Sequence, residues 1–394
     1  MGLRGQELPA SERVLTAEFG RLLAAHFLQS LGWTSMVLLP LYLEHLSASR
    51  AEIGAIIAAA RVGGLVSRPA VGVALDARGR RPTLMLGTAL LVLGMLLLAF
   101  VDAIGPVLYA SRLIFGVGLS ATFAGYFTFA ADLIPPSRRT EGLAIFGVSG
   151  LLPMALAPLV ERAGVEPAAL RWYLPAVGLL VAASAWPLMG VPDRFVRPTE
   201  RWSLRAAMAA SLDARMWPLW LATWIFSGMV ALFLAFASVT AAARGIAHPS
   251  GLWLSYALGA VGARVLGARL PDRVGPANMI APTIAIYVLA CALIAGAEDG
   301  TTFLVVGLLA GVAHGYCFPV LSSLVMTRMP AALRGTAMAA FTFLWDLSAL
   351  VLSPLLGLVA DAQGDAAMYA LTALVATLAL IPWVVLERRA ARPQ

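Results

Sequence analysis

Runs of about 19 or more mostly apolar residues, the length that crosses ~30 Å of hydrocarbon as helix, recur along this chain. Twelve such runs begin near Leu22, Glu52, Thr83, Pro106, Gly142, Leu170, Met216, Ser250, Ala277, Thr302, Gly335 and Ala367. Each is apolar throughout and does not alternate polar with apolar positions, which predicts spanning helices rather than barrel strands. The expected fold class is an all-α membrane protein with twelve transmembrane helices.

Polar residues fill the gaps between runs, and arginine is divided unevenly among those gaps. With the N-terminus inside, the inside segments carry 20 arginines, among them Arg21, Arg78, Arg80, Arg81, Arg138, Arg139, Arg273 and Arg334. The outside loops hold four, Arg50, Arg162, Arg171 and Arg244. Positive residues resist translocation, so this bias predicts an even number of crossings with both termini cytoplasmic. The first twenty residues include Arg4, Glu7, Glu12, Arg13 and Glu18, and so lack the apolar core of a cleavable signal peptide.

A repeat divides the pattern in two. Gly63, Arg68, Asp76 and Gly79 recur 196 residues later as Gly259, Arg264, Asp272 and Gly275, and Gly116, Pro135 and Arg139 recur 195 residues later as Gly311, Pro330 and Arg334. Between the copies lies the longest polar segment, Gly190 to Met216. The expected organisation is a cytoplasmic segment 1–21, a six-helix bundle 22–190, a cytoplasmic linker 191–215, a second bundle 216–386 and a tail 387–394. Parallel repeats of this kind place a substrate site between the halves near mid-membrane.

Composition agrees and removes several function classes. Hydrophobic residues make up 60% of the 394 and charged residues 12%, about half the share a water-exposed surface needs. The net charge of +7 is spread over the ends of apolar runs, which reads as topology and not as a nucleic-acid surface. All 28 basic residues are arginine, so the lysine of a phosphate-binding loop is absent and direct nucleotide-driven pumping is disfavoured. Cys291 and Cys317 lie within apolar runs with no metal-site spacing. No paired carboxylates, activated nucleophile or metal ligands suggest an enzyme, and no cofactor is expected.

The turn after the second run reads Gly72-Val-Ala-Leu-Asp76-Ala-Arg78-Gly79-Arg80-Arg81. It resembles the signature loop of the major facilitator superfamily, and the resemblance extends over essentially the whole chain. It implies two bundles that alternate access, with Asp76 facing the start of the eleventh helix, where a helix N-terminus favours a carboxylate by up to ~1 kcal/mol. Gly72, Asp76, Arg80, Arg81, Asp132, Arg139, Asp272 and Arg273 are therefore expected at a cytoplasmic gate, although Arg78, Arg80 and Arg81 also serve as plain topology anchors. The stretch Arg112-Leu-Ile-Phe-Gly116-Val-Gly118 resembles the superfamily's intramembrane arginine followed by glycines. The fifth helix departs from the Gly-Pro-x-x-Gly-Gly signature of proton-driven exporters and keeps only Gly147, Gly150 and Pro153.

Ionisable residues at membrane depth carry the candidate chemistry, because a charge within a span costs at least ~2.5 kcal/mol and normally faces a cavity or a partner. They are His26, Arg61, Arg68, Arg112, Arg264, His314 and Asp346. Arg68 and Arg264 lie near helix ends and read as structural. Asp346, the carboxylate nearest the centre of a span, either binds and releases protons or is a lasting partner of Arg112, Arg61 or a cationic substrate. Arg112 and Asp346 are expected to bridge the cavity, lined further by Gln29, Trp33, Trp224, Tyr316 and Trp345. The resulting expectation is a monomeric transporter of a small organic solute in a bacterial inner membrane, exporting it against protons. The alternatives are an uptake symporter of an organic anion and a lipid-handling flippase.

Overall fold

The computed structural model describes residues 14–135, 139–193, 212–267, 270–329 and 334–390. The chain enters α1 (Ala17–His45) behind Thr16, whose hydroxyl accepts from the Phe19 amide. It returns through α2 (Arg50–Arg78), whose Ser49 and Glu52 form a reciprocal capping box that satisfies two otherwise unpaired amides. Then come α3 (Arg80–Phe100), α4 (Pro106–Leu133), a broken α5 and α6 (Pro167–Met189). The pieces of α5 are Arg139–Leu151, a 3-10 stretch Leu152–Leu156 and Ala157–Arg162, because Pro153 and Pro158 remove amide donors where the ladder changes register. The second set is α7 (Trp217–Ala243), α8 (Gly251–Val265), α9 (Pro276–Ala295), α10 (Gly300–Arg328), α11 (Arg334–Gln363) and α12 (Asp365–Ala390).

Among the described residues, eleven of these helices are long and apolar enough to cross a membrane by themselves. The remaining one, α8, has 15 residues and so reaches about 22 Å at 1.5 Å per residue. The helices begin within a few residues of the positions expected from hydropathy. The fold is all-helical and membrane-embedded.

Both halves are built by the same crossing. Gly63 lies against the Leu113 carbonyl and Gly116 against the Ala60 carbonyl, so α2 and α4 touch backbone to backbone. Their repeat counterparts do the same, Gly259 against Leu308 and Gly311 against the Tyr256 carbonyl, where α8 crosses α10. A Cβ at any of the four would overlap the facing backbone. In lipid, where helices gain little from hiding apolar surface, such close contact supplies the packing attraction. The two repeat turns also match: Gly79 and Gly275 have φ of 94° and 93°, a region L side chains avoid.

The halves meet along two seams, α2 against α11 and α5 against α8. Helix α7 is almost entirely enclosed, whereas α12 exposes Leu371, Leu374, Leu378 and Ile381 as a lipid-facing surface.

Candidate functional site

At the end opposite the termini, Arg50 ties three elements together. Its Nη1 donates to Glu44 Oε1 at 3.0 Å and its Nε to Asp365 Oδ1 at 3.1 Å. Asp361 accepts the Arg50 and Ala51 amides at 2.7 and 2.8 Å, so a carboxylate of α11 caps the exposed N-terminus of α2. Thr240 of α7 donates to Asp365 Oδ2 at 2.8 Å. On the other seam Glu161 of α5 accepts the Ser250 amide at 2.9 and 3.1 Å, just ahead of α8. The charge pattern of the chain places Arg50 in an outside loop and does not mark Asp361, Asp365 or Glu161. The available signal was an arginine on the side of the chain that carries few.

The α2–α11 seam continues inward to Asp346. Arg61 Nη1 donates to Asp346 Oδ1 at 3.1 Å, Arg68 Nη2 pairs with Oδ2, and Arg68 Nη1 reaches the Thr342 hydroxyl. Arg68 is eighteen residues into α2 and Asp346 seventeen from the far end of α11, which puts both about 26 Å deep. Side-chain exposures of 20%, 23% and 12% for Arg61, Arg68 and Asp346 leave the group mostly out of solvent, where an ion pair is screened little.

Two expectations need correction here. Arg112 does not bridge to Asp346: its Nη1 lies 3.3 Å from Met36 Sδ and its guanidinium 4.7 Å from the Phe115 ring centre. It is only six residues into α4, about 9 Å deep, and so sits at a different level from the carboxylate. Arg68, read as a structural end-anchor, is instead a direct partner of Asp346.

His26 and Gln29 are not on an open wall. His26 Nδ1 is 2.8 Å from Ser149 Oγ and its ring stacks on Phe146 at 4.2 Å, while Gln29 donates to the Thr122 hydroxyl at 2.9 Å. Both are buried within the first bundle, since α1, α4 and α5 converge there. In the second bundle His314 shares a hydrogen bond with the Tyr256 hydroxyl. Trp345 stands among Phe226, His314, Phe318 and Phe341 at ring separations of 5.3 to 6.2 Å. Trp33, Trp224, Tyr316 and Trp345 are all partly exposed.

Toward the termini, Arg80 Nε pairs with Asp132 Oδ2 at 2.9 Å, and the Arg81 amide donates to Asp193 at 3.0 Å. Both Arg80 and Asp132 belong to the first bundle, so this pair pins the α2–α3 turn and does not join the halves. A Cβ at Gly72 would meet nothing within 4 Å, and Arg273 is exposed. The side chains of Asp76, Arg139 and Asp272 lie outside the described residues.

Two helical bundles enclosing a charged seam at membrane depth define a polytopic membrane transporter. The profile described as Major Facilitator Superfamily matches residues 22–354 and 256–394, and the chain belongs to that family. An uncharacterised MFS-type transporter of Salmonella typhimurium is 25% identical over 387 residues, covering 91% of this chain and 93% of its own. Another, from Burkholderia mallei, is 27% identical over 357 residues, covering 89% and 86%. Among solved structures, the nucleoside transporter NupG matches with a TM-score of 0.74 at 15% identity over 94% of this chain and 98% of its own. A POT family transporter in complex with a thioalcohol-conjugated peptide matches with 0.81 at 13% identity over 95% and 96%. The protein is thus a multi-pass membrane transporter and not an enzyme.

Proposed function

We propose that this protein exports a small organic solute across a bacterial inner membrane in exchange for protons, acting as a monomer by alternating access. The carrying observation is the clamp of Asp346 by Arg61 and Arg68 across the α2–α11 seam. In this arrangement two guanidinium groups neutralise the carboxylate. When the seam opens, α2 carries both away and Asp346 loses its neutralising partners within the span, where a bare carboxylate is costly and takes up a proton. Closing the seam returns the arginines and expels the proton, so the proton changes sides with the conformation.

With 1–21, 191–215 and 387–394 on the cytoplasmic side, the Arg50 network is the extracellular seal and the structure is closed outward. The bundles 22–190 and 216–386 then rock about the central seam. Gly72, Asp76, Arg80, Arg81, Asp132, Arg139, Asp272 and Arg273 border the cytoplasmic mouth. In everted vesicles an imposed pH gradient drives solute accumulation under this reading. Flux that ignores collapse of the gradient rejects the coupling, and accumulation with the opposite gradient dependence identifies an uptake symporter.

A further inference from the structure

The two seams are related by the internal repeat, yet among the described residues only the α2–α11 seam carries a charge pair at membrane depth. Arg68 of α2 has its counterpart 196 residues on in Arg264 of α8. The position corresponding to Asp346 is Gly150 or Leu151 of α5, depending on whether the offset is 196 or 195, and neither bears a charge. Arg264 is partly exposed and its guanidinium rests against α5 at Gly147, where a Cβ would overlap Nη1. Among the described residues its only hydrogen bond runs from Nε to the Gly315 carbonyl at 3.4 Å, and no carboxylate pairs with it. At membrane depth the described residues set four guanidinium groups, Arg61, Arg68, Arg112 and Arg264, against the single carboxylate of Asp346. Such unbalanced positive charge is expensive in a bilayer unless something anionic visits it.

The geometry points to Arg264 as an oxyanion-binding residue at the α5–α8 seam that recognises a carboxylate or phosphate group on the transported solute. Its two Nη groups form the planar fork that fits either oxyanion. Beside it stand the Tyr256–His314 pair and, beyond His314, the rings of Phe226, Phe318 and Trp345, which suit an apolar or aromatic body. Gly147 keeps the opposite wall free of any side chain that would compete for the guanidinium. The inference rests on the transport reading for its biological meaning, but it is a statement about binding and is tested by binding alone.

The experiment is thermal unfolding of the purified full-length protein with benzoate, phenyl phosphate or neutral benzamide, since an occupied site raises stability. The expected result is stabilisation by benzoate, phenyl phosphate or both, and none by benzamide; the stronger anion tells carboxylate from phosphate. Arg264→Gln weakens the response about tenfold or more, and Arg264→Lys weakens it less. Gly147→Asp places a carboxylate where its Cβ displaces Arg264 Nη1, so the guanidinium is occupied from α5 and the response is abolished. Arg78→Gln, an exposed control, responds as the parent does. Equal stabilisation by benzamide, an unchanged response in Arg264→Gln or Gly147→Asp, or no response of the parent to either anion overturns the inference. Solute flux without an anion response would sink this subsite and leave the transport reading standing, whereas anion binding without flux would do the reverse.

Discussion

Arg68 and Asp346 meet across the seam between the two bundles, with Arg61 on the second carboxylate oxygen and Thr342 on the second guanidinium nitrogen of Arg68. The pair is a contact between halves at mid-depth, so it exists only while α2 and α11 are together. That couples a charge state to a conformation, and it makes the pair the first place to test.

Asp346→Asn removes the carboxylate proposed to carry the proton while keeping the shape. We expect solute flux in everted vesicles to lose its response to an imposed pH gradient, with downhill exchange retained. A variant whose flux keeps the parental pH response shows that protons travel by another group.

The same geometry makes a claim about pairing. A double-mutant cycle on unfolding stability for Arg68→Ala and Asp346→Ala should return a coupling energy of about 1 to 3 kcal/mol. The cycle for Arg112→Ala and Asp346→Ala should return less than about 0.5 kcal/mol. Reversed magnitudes would contradict the arrangement.

Arg50 holds Glu44, Asp365 and the Val239 carbonyl together. Charge-assisted contacts of this kind contribute about 1.5 to 3 kcal/mol in total when partly buried. Arg50→Ala should therefore shift the population toward the state open at that end by roughly tenfold or more. Labelling rates of a cysteine placed at Thr240 report it: the rate should rise in the Arg50→Ala background, and an unchanged rate argues that apolar packing alone closes this end.

Gly116 and Gly72 provide a matched pair. A methyl at Gly116 overlaps the Ala60 carbonyl, whereas one at Gly72 meets nothing within 4 Å. Gly116→Ala should lower unfolding stability by about 1 to 3 kcal/mol through overpacking, and Gly72→Ala should leave it within about 0.5 kcal/mol. Thermal unfolding in detergent distinguishes the two, and equal effects would refute the α2–α4 crossing.

Asp299 caps α10 by accepting from the Thr302 hydroxyl and amide, and these bonds hold its carboxyl below the usual carboxylate range. A carboxylate with a depressed folded value adds stability above its unfolded value and loses it as pH falls through the folded one. The cap should therefore loosen only on strong acidification. Hydrogen exchange at the Thr302 amide should accelerate there relative to its expected acid-range rate, and Asp299→Asn should remove that extra pH dependence.

Much of the architecture was legible in the chain itself. Hydropathy located the helices to within a few residues because the bilayer leaves backbone polar groups no partner other than their own helix. Gly63, Gly116, Gly259 and Gly311 announced the repeat because each close crossing tolerates no side chain. Asp346 stood out because carboxylates at that depth are costly.

What the order of residues could not decide is which arginine meets Asp346, or that Arg264 meets no carboxylate among the described residues. Depth follows from counting at 1.5 Å per residue, and that count separates Arg112 from Asp346 once the helix ends are known. The side of the helix on which a residue looks across a seam depends on rotation and crossing angle, which are set by all the neighbouring helices at once. Arg68 turned out to face Asp346 and Arg264 to face Gly147 of α5 for that reason. The chain alone determined two six-helix halves and their charged residues; only their packing decided that, among the described residues, one seam is electrically closed and the other is left positive.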